Sequence, residues 1–207
     1  QGATHYNAIF ADYFASDLGW AWDDDDAWPI VRVRGDVAIV GVSTSLRTPW
    51  FTAWGRVGDK QLGRLRAALA DERLVGKLRI VAIHHPAAGP HALSRIRGLR
   101  DHQALAQVLG EVGAELVIHG HEHQDLLAEI AGPNRGRAEA RIDVRGVPSG
   151  TYEANRPERT ARYRIFEITA GRITGHHLRV WDSASRSFRD DLTLSYHPAS
   201  ALLQIEA

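Results

Sequence analysis

The chain has 207 residues, enough for one domain with a sizeable hydrophobic core. Its 25 lysine and arginine residues balance its 25 aspartate and glutamate residues, so bulk charge gives no indication of a nucleic-acid or membrane-surface partner. The absence of cysteine excludes disulfide bonds, thiolate metal sites and a cysteine nucleophile, and no apolar run approaches the ~18 residues of a membrane-spanning helix.

The first predicted element is an amphipathic helix. Its apolar side chains recur near helical spacing at Ile9, Phe10, Tyr13, Phe14 and Leu18. The four aspartates Asp23 to Asp26 repel one another, so we interpret them as a solvated loop, with a cation site as the alternative. Five tryptophans of this half of the chain either pack in the core and loops or form an aromatic wall at a cleft: Trp20, Trp22, Trp28, Trp50 and Trp54.

Alternating strands and helices follow. Residues 30–34 and 37–42 are predicted strands joined by a Gly35-Asp36 turn, and the second is apolar enough to be buried on both faces. Asp59 and Asp101 are the predicted N-caps of two helices, and two further buried strands end in "IHHP" and "IHGHEH". This order predicts an α/β sheet. The last part of the chain is typical of short antiparallel strands, with a turn at Ala170-Gly171.

Seven of the 11 histidines fall between residues 84 and 123, and five of these lie at the ends of those two strands: His84, His85, His119, His121 and His123. Strand ends line the ligand crevice of an α/β sheet, so both groups are expected to converge on one cleft. His84, His121 and His123 are the candidate metal ligands, because neutral imidazole suits zinc, iron or manganese. His85 and His119 point the opposite way from their neighbours in an extended chain. We therefore interpret them as groups that support the ligands or face the substrate.

The remaining candidates have an ordinary explanation, as polar residues at boundaries or on an edge hairpin. These are His102, His176, His177 and His197.

Several motifs resemble the later part of a calcineurin-like metallophosphoesterase. They are "GDVAIVGVSTS", "QLGRLRAAL", "RIVAIHHP", "GLRD" and "GAELVIHGHEH", in that order. The segment "VPSGTYEANRPERTARYRIFEI" is similar to the strands that follow Gly-His-x-His in that family. The resemblance covers essentially the whole chain. It implies an α/β fold in which two β-sheets pack as a sandwich flanked by helices, within a single domain over residues 1–207.

The resemblance also implies two metal ions, of iron, manganese or zinc. His84 and His121 would bind one ion, and His123 would bind the other. The family's Asp-x-His, Gly-Asp-x-x-Asp and Gly-Asn-His-Asp/Glu motifs, which supply the remaining ligands, are absent from the sequence. We therefore expect the chain to be N-terminally truncated, without the first strands of the domain, and its catalytic residues to lie upstream of Gln1.

The function implied by the resemblance is hydrolysis of phosphomonoester or phosphodiester bonds in a small substrate, through a hydroxide that bridges the two ions. His85 and His91 would donate hydrogen bonds to phosphate oxygens. The chain supplies only the later ligands, so we expect it to be inactive alone. We also expect a cytoplasmic location, and self-association through sheet edges left bare by the missing strands.

Two alternatives remain open at this level. One is another His-x-His metallohydrolase, although metallo-β-lactamase-type sites use His-x-His-x-Asp-His, and here the motif that starts at His119 has His123 in place of the aspartate and Gln124 in place of the last histidine. Barrel amidohydrolases place His-x-His on their first strand, whereas here it follows at least three strands. The other alternative is a non-catalytic protein, in which the histidines hold one structural ion or are the remnant of a site.

Overall fold

The computed structural model describes residues 5, 8–20, 27–133, 141–152 and 156–191. The chain divides into two compact units. The first consists of residues 1–122 and 126–146, and the second of residues 123–125 and 147–207. The predictions for Asp23 to Asp26, Trp22 and His197 lie outside the described residues. No helix within the described ranges is both long and apolar enough to cross a membrane.

The first unit contains a mixed sheet of six strands in the order β1-β2-β3-β4-β6-β5. Strands β2, β3, β4 and β6 run parallel, and the edge strands β1 and β5 are antiparallel to their neighbours. The bounds are β1 Ile30–Arg34, β2 Val37–Val42, β3 Leu78–Ile83, β4 Leu116–His119, β5 Leu126–Ala131 and β6 Arg141–Gly146.

Two α-helices pack with this sheet. They are α1 (Asp59–Leu69) and α2 (His102–Val112). The predicted apolar stripe of α1 is buried, as is that of α2, and both join one core with the inward-facing valines of the sheet. The buried helical side chains that form this core include Leu62, Leu65, Leu69, Leu105, Val108 and Leu109. Short 3-10 helices lie at Ala11–Tyr13, Glu72–Leu74 and Pro157–Arg159.

The N-terminal ends of the two helices are tied together by one carboxylate. Asp101 occupies the N-cap position of α2, as predicted, but its side chain makes no hydrogen bond to that helix. Its oxygens instead accept the backbone N–H groups of Val57 at 3.0 Å and Gly58 at 2.7 Å. Gly58 is the N-cap of α1, and the predicted cap Asp59 is the first helical residue. Asp101 thus satisfies donors that the start of α1 would otherwise leave unpaired.

The C-terminal ends of the helices meet a buried arginine of β3. Arg79 donates to the carbonyl oxygens of Leu69 at 2.9 Å and Val112 at 3.1 Å, the last residues of α1 and α2. The same guanidinium pairs with Glu115 at 2.8 Å. One cation therefore satisfies orphan carbonyl groups at the negative ends of both helix dipoles.

The structure differs from the sequence predictions in four places. The predicted helix through Leu18 is wrong, because helical residues there give way to the 3-10 helix at Ala11–Tyr13. Strand β6 was expected to be antiparallel, and it is antiparallel to β5, but on its other side it runs parallel to β4. Strand β5 was not predicted. Ile39 of β2 is 40% exposed, so that strand is not buried along its whole length.

The outer edge of β1 is occupied by the segment that precedes it. The Asp17 N–H donates to the carbonyl oxygen of Val31 at 2.9 Å, and a carboxylate oxygen of Asp17 accepts the N–H of Val33 at 2.9 Å. Arg32 and Arg34 pair with the same carboxylate at 3.0 and 2.7 Å. This edge is therefore not bare.

The second unit contains a three-stranded antiparallel sheet in the order β7-β8-β9. Its strands are β7 (Arg162–Thr169), β8 (Arg172–Asp182) and β9 (Ser187–Asp190), and the predicted turn at Ala170-Gly171 joins the first two. The chain is therefore a mixed α/β protein with a six-stranded mixed sheet and a three-stranded antiparallel sheet.

Candidate metal centre

The two histidine motifs follow neighbouring parallel strands of the first unit. Strands β3 and β4 pair in parallel, with Val81 opposite Val117 and Ala82 opposite Ile118. Their carboxyl ends therefore lie side by side. Just beyond them, the N–H of Gly120 donates to the carbonyl oxygen of His84 at 3.2 Å and joins the two loops. This is the edge where ligand sites form in open α/β sheets.

His84 and His121 are brought together at this edge, as the sequence predicts. Nε2 of His84 lies 3.1 Å from Nδ1 of His121, and the ring centroids are 4.9 Å apart. His84 is exposed, whereas the side chain of His121 is only 8% exposed. Burial, with the neighbouring His85 and His84, lowers the pKa of His121 to about 4. His121 is therefore neutral near pH 7, which is the protonation state that a metal ligand requires.

His85 lies behind this pair. It is buried, its ring lies 4.3 Å from that of His121, and burial lowers its pKa. Nε2 is 2.9 Å from the carbonyl oxygen of Ala53, which can only accept, so this nitrogen carries the proton. Nδ1, 2.7 Å from the hydroxyl of Thr44, then accepts. Both nitrogens are thus engaged within the protein, which favours the supporting role predicted for His85 over contact with a substrate.

The ring of His85 occupies space that a side chain at position 55 would need. A Cβ built on Gly55 would lie 2.3 Å from Nδ1 of His85. The backbone of Gly55 is itself fixed, since its N–H donates to the carbonyl oxygen of Gly98 at 3.0 Å. Absence of a side chain at Gly55 is therefore what admits the imidazole.

His119, the last residue of β4, is also buried. Its Nδ1 lies 3.1 Å from the carbonyl oxygen of Gly120, and burial lowers its pKa. Its ring fills the space beside Gly146 of β6, where a Cβ would come within 2.7 Å of the ring carbon Cε1. This packing agrees with the supporting role predicted for His119. Contact of His119 with a substrate stays a prediction.

Glu122 is the participant that the sequence analysis missed. Its side chain is 10% exposed, and its carboxylate lies 3.3 Å from Nδ1 of His91. The same carboxylate is 3.6 Å from Nε of Arg97 and 3.8 Å from Nε2 of His121. In the sequence, Glu122 lies between two histidines, at the position that the His-x-His motif leaves unspecified. That position was the only indication of a role for Glu122. His91 thus faces a carboxylate, and its predicted contact with phosphate stays untested.

His123 belongs to the second unit. Its φ is 53°, an uncommon left-handed conformation for a residue with a side chain, and its ring lies 5.9 Å from that of Tyr152 in an edge-on arrangement. Its role as a ligand stays a prediction.

The fit of a metal ion can be judged on the His84–His121 pair. In the part of the chain that the structure describes, no three His, Asp or Glu side chains form a group that could hold an ion. Two imidazole nitrogens on one tetrahedral zinc at ~2.0–2.1 Å each would be about 3.3 Å apart. The observed 3.1 Å between Nε2 of His84 and Nδ1 of His121 is close to that separation. The pair therefore fits as two ligands of one ion.

The other histidines and the tryptophans take ordinary positions. Nδ1 of His102 lies 2.9 Å from the carbonyl oxygen of Leu99, and His177 pairs with Glu167 on the exposed face of the second unit. Trp28 packs edge-on against Phe14, Trp20 and Trp54 lie against arginine side chains, and Trp50 is 88% exposed. Most of the described tryptophans thus pack against neighbours, which was the first of the two interpretations.

Comparison with known proteins adds no relative. No protein-family model matches the chain, and no curated protein matches it. The candidate site is therefore described by its own residues alone.

Proposed function

We propose that this chain is the later part of a calcineurin-like metallophosphoesterase, and that His84 and His121 bind one of its two metal ions. The observation that carries the proposal is the approach of Nε2 of His84 to Nδ1 of His121 at 3.1 Å, at the carboxyl ends of two parallel strands. A second ion bound by His123 and the two-sheet sandwich of that family stay predictions. The cytoplasmic location stays a prediction.

The described residues of the site would bind the metal ion and orient its histidine ligands. His121 presents a neutral nitrogen beside His84, His85 packs behind the ring of His121, and Thr44 with Ala53 fixes the orientation of His85. A bound pair of ions would supply Lewis-acid chemistry and lower the pKa of a water molecule. The proposed reaction is hydrolysis of a small phosphomonoester or phosphodiester. This chain by itself would bind metal and show little turnover.

One specific observation favours a second candidate, a non-catalytic imidazole pair. The distance of 3.1 Å also suits a hydrogen bond between one protonated and one bare nitrogen. In that case the pair would stabilise the strand ends without any ion.

Metal titration separates the two candidates. Zn²⁺ and Mn²⁺ binding to the metal-free protein would be measured by calorimetry for wild type, His84→Ala and His121→Ala, with His177→Ala as a control far along the chain in the exposed pair with Glu167. We expect each of the first two variants to weaken binding at least about tenfold, since even the partners of ligands are worth 10–100-fold. His177→Ala should bind as wild type does. Equal affinity in all four proteins would overturn the proposal.

The catalytic part is tested on the complete gene product. Hydrolysis of bis(p-nitrophenyl) phosphate and p-nitrophenyl phosphate would be measured in the presence of Mn²⁺. Turnover that disappears in both His84→Ala and His121→Ala is expected. Metal binding without any turnover of either ester would leave the non-catalytic metal protein as the function.

A further inference from the structure

The carboxylate of Glu122 lies among three nitrogen groups next to the proposed ligands. It is 3.3 Å from Nδ1 of His91, 3.6 Å from Nε of Arg97 and 3.8 Å from Nε2 of His121. Its side chain is 10% exposed, so little water is present to compete for these contacts. Arg97 also reaches the backbone carbonyl of His121 at 3.4 Å. Glu122 is thereby held beside the imidazole that precedes it in the chain.

Nε2 of His121, the ring nitrogen that does not contact His84, faces the carboxylate of Glu122. Nε2 of His121 is buried and has no hydrogen-bond partner among the described residues. If Nε2 were bare, its lone pair would face the carboxylate of Glu122 and be repelled. If Nε2 carries the proton, the N–H faces an acceptor-only group, and a side-chain movement of ~1 Å would bring it to hydrogen-bond length. The second arrangement is favoured by charge.

The choice of tautomer decides what His121 presents to His84. A neutral imidazole carries one proton, so a proton on Nε2 leaves Nδ1 as a lone pair. Nδ1 is the atom that lies 3.1 Å from Nε2 of His84. Metal-binding histidines commonly donate their other N–H to a carboxylate, which fixes the ring and strengthens the ligand.

We infer that Glu122 is a positioning residue: it keeps the proton of His121 on Nε2, so that Nδ1 is free to bind the metal. Arg97 and His91 hold the Glu122 carboxylate in place. This inference rests on the proposed function for its consequence in metal binding. Its effect on the tautomer is a property of the metal-free protein.

The test uses two substitutions at position 122. Glu122→Met removes the acceptor at nearly constant size, and Glu122→Gln keeps a carbonyl acceptor without the charge. The ring ¹⁵N shifts of His121 would be recorded by long-range ¹H–¹⁵N spectra of the metal-free protein near pH 7.5, because bare and protonated ring nitrogens are well separated there. Wild type should show the proton on Nε2, and Glu122→Met should show a mixture or the opposite tautomer.

Zn²⁺ affinity is the second readout. We expect Glu122→Met to weaken binding about 10–100-fold and Glu122→Gln to fall between that variant and wild type. Glu111→Met is the matched control, because Glu111 is an exposed carboxylate paired with Arg66 at 2.7 Å. Circular dichroism would confirm that each variant is folded. If Glu122→Met fails to fold, the intermediate affinity and altered tautomer of Glu122→Gln carry the test.

The outcomes separate this inference from the proposed function. An unchanged His121 tautomer and unchanged Zn²⁺ affinity in both Glu122 variants, with binding lost in His121→Ala, would overturn the role of Glu122 alone. Absence of Zn²⁺ binding in wild type would overturn the proposed function, and the ¹⁵N spectra would still decide whether Glu122 sets the tautomer.

Discussion

His121 combines several unusual properties in a single residue. Its φ is 69°, in the left-handed region that residues with a side chain rarely adopt. Such a conformation costs of order 1–3 kcal/mol and persists only where the surroundings enforce it. The same residue carries a buried nitrogen without a hydrogen-bond partner among the described residues. Strain and an unpaired buried nitrogen at one position are expected where function, rather than stability, has selected the residue.

The backbone strain at His121 predicts that glycine is more stable than alanine at this position, the reverse of their usual order. His121→Gly and His121→Ala both remove the imidazole, but only glycine adopts a φ of 69° without cost. We expect the glycine variant to be more stable by about 1 kcal/mol. The free energy of unfolding in urea, measured without metal, checks this.

Arg66 in α1 is the control position for this comparison. It is helical and exposed, so Arg66→Gly should there be less stable than Arg66→Ala, by about 1 kcal/mol. An alanine variant at position 121 that is more stable than the glycine variant would contradict the assigned backbone conformation.

At the scale of elements, Arg79 connects a strand to the ends of both helices. Its guanidinium satisfies carbonyl groups of Leu69 and Val112 and pairs with Glu115. At the opposite ends of the helices, Asp101 binds the backbone at Val57 and Gly58. Helix α1 is therefore fixed at both ends by a charged side chain from another element, and α2 is fixed in this way at its C-terminal end.

We expect Arg79→Met to lower the free energy of unfolding by about 2–4 kcal/mol, because it leaves two helix-end carbonyls and Glu115 without their cation. Arg66→Met is the matched control. Arg66 pairs with Glu111 at 2.7 Å with both side chains exposed, so its loss should cost less than about 0.5 kcal/mol. Urea denaturation monitored by tryptophan fluorescence would measure both. Equal losses in the two variants would show that Arg79 contributes no more than a surface pair.

Elements with a strong local pattern were predictable from the sequence. The strands β1 to β4 and the helices α1 and α2 each carry their own periodicity, and the Gly35-Asp36 turn has a local signal. The N-terminal helix failed because of a distant residue. Arg32 of β1 donates to the carbonyl oxygens of Tyr13 and Ala15, which a continuing helix would use for its own N–H groups. The parallel position of β6 beside β4 is likewise set by a pairing far apart in the chain.

The candidate site was predictable only in part, for the same reason. That His84 and His121 meet followed from two strands ending at one edge, and the structure has them 3.1 Å apart. The contacts of Glu122 with His91 and Arg97 depend on how the loop over residues 86–100 folds back, and no periodic pattern encodes that loop.

For the whole molecule, the surface combines zero net charge with large exposed apolar side chains. The formal net charge at pH 7 is zero and the sequence pI is about 7.4, so charge repulsion between copies is weak near neutral pH. Trp50 and Phe51 are 88% and 93% exposed and lie edge-on to each other at 6.3 Å. An exposed aromatic pair on a weakly repelling surface favours self-association.

We expect the double variant Trp50→Ser, Phe51→Ser to self-associate less than wild type at pH 7.4, as measured by sedimentation velocity over a range of protein concentrations. Val75→Ser is the control, because Val75 is 80% exposed but is not aromatic. Equal association in wild type and both variants would show that Trp50 and Phe51 do not form the self-associating surface.

The contact between His85 and Gly55 has a consequence for natural variation. The imidazole occupies the volume in which any side chain at position 55 would begin, at 2.3 Å from its Cβ. The two positions are therefore expected to change together, although 30 residues separate them in the chain. A natural variant with a larger residue at position 55 should also carry a smaller residue in place of His85. The His84-His85 pair of this protein therefore depends on a third residue, Gly55, which follows strand β2.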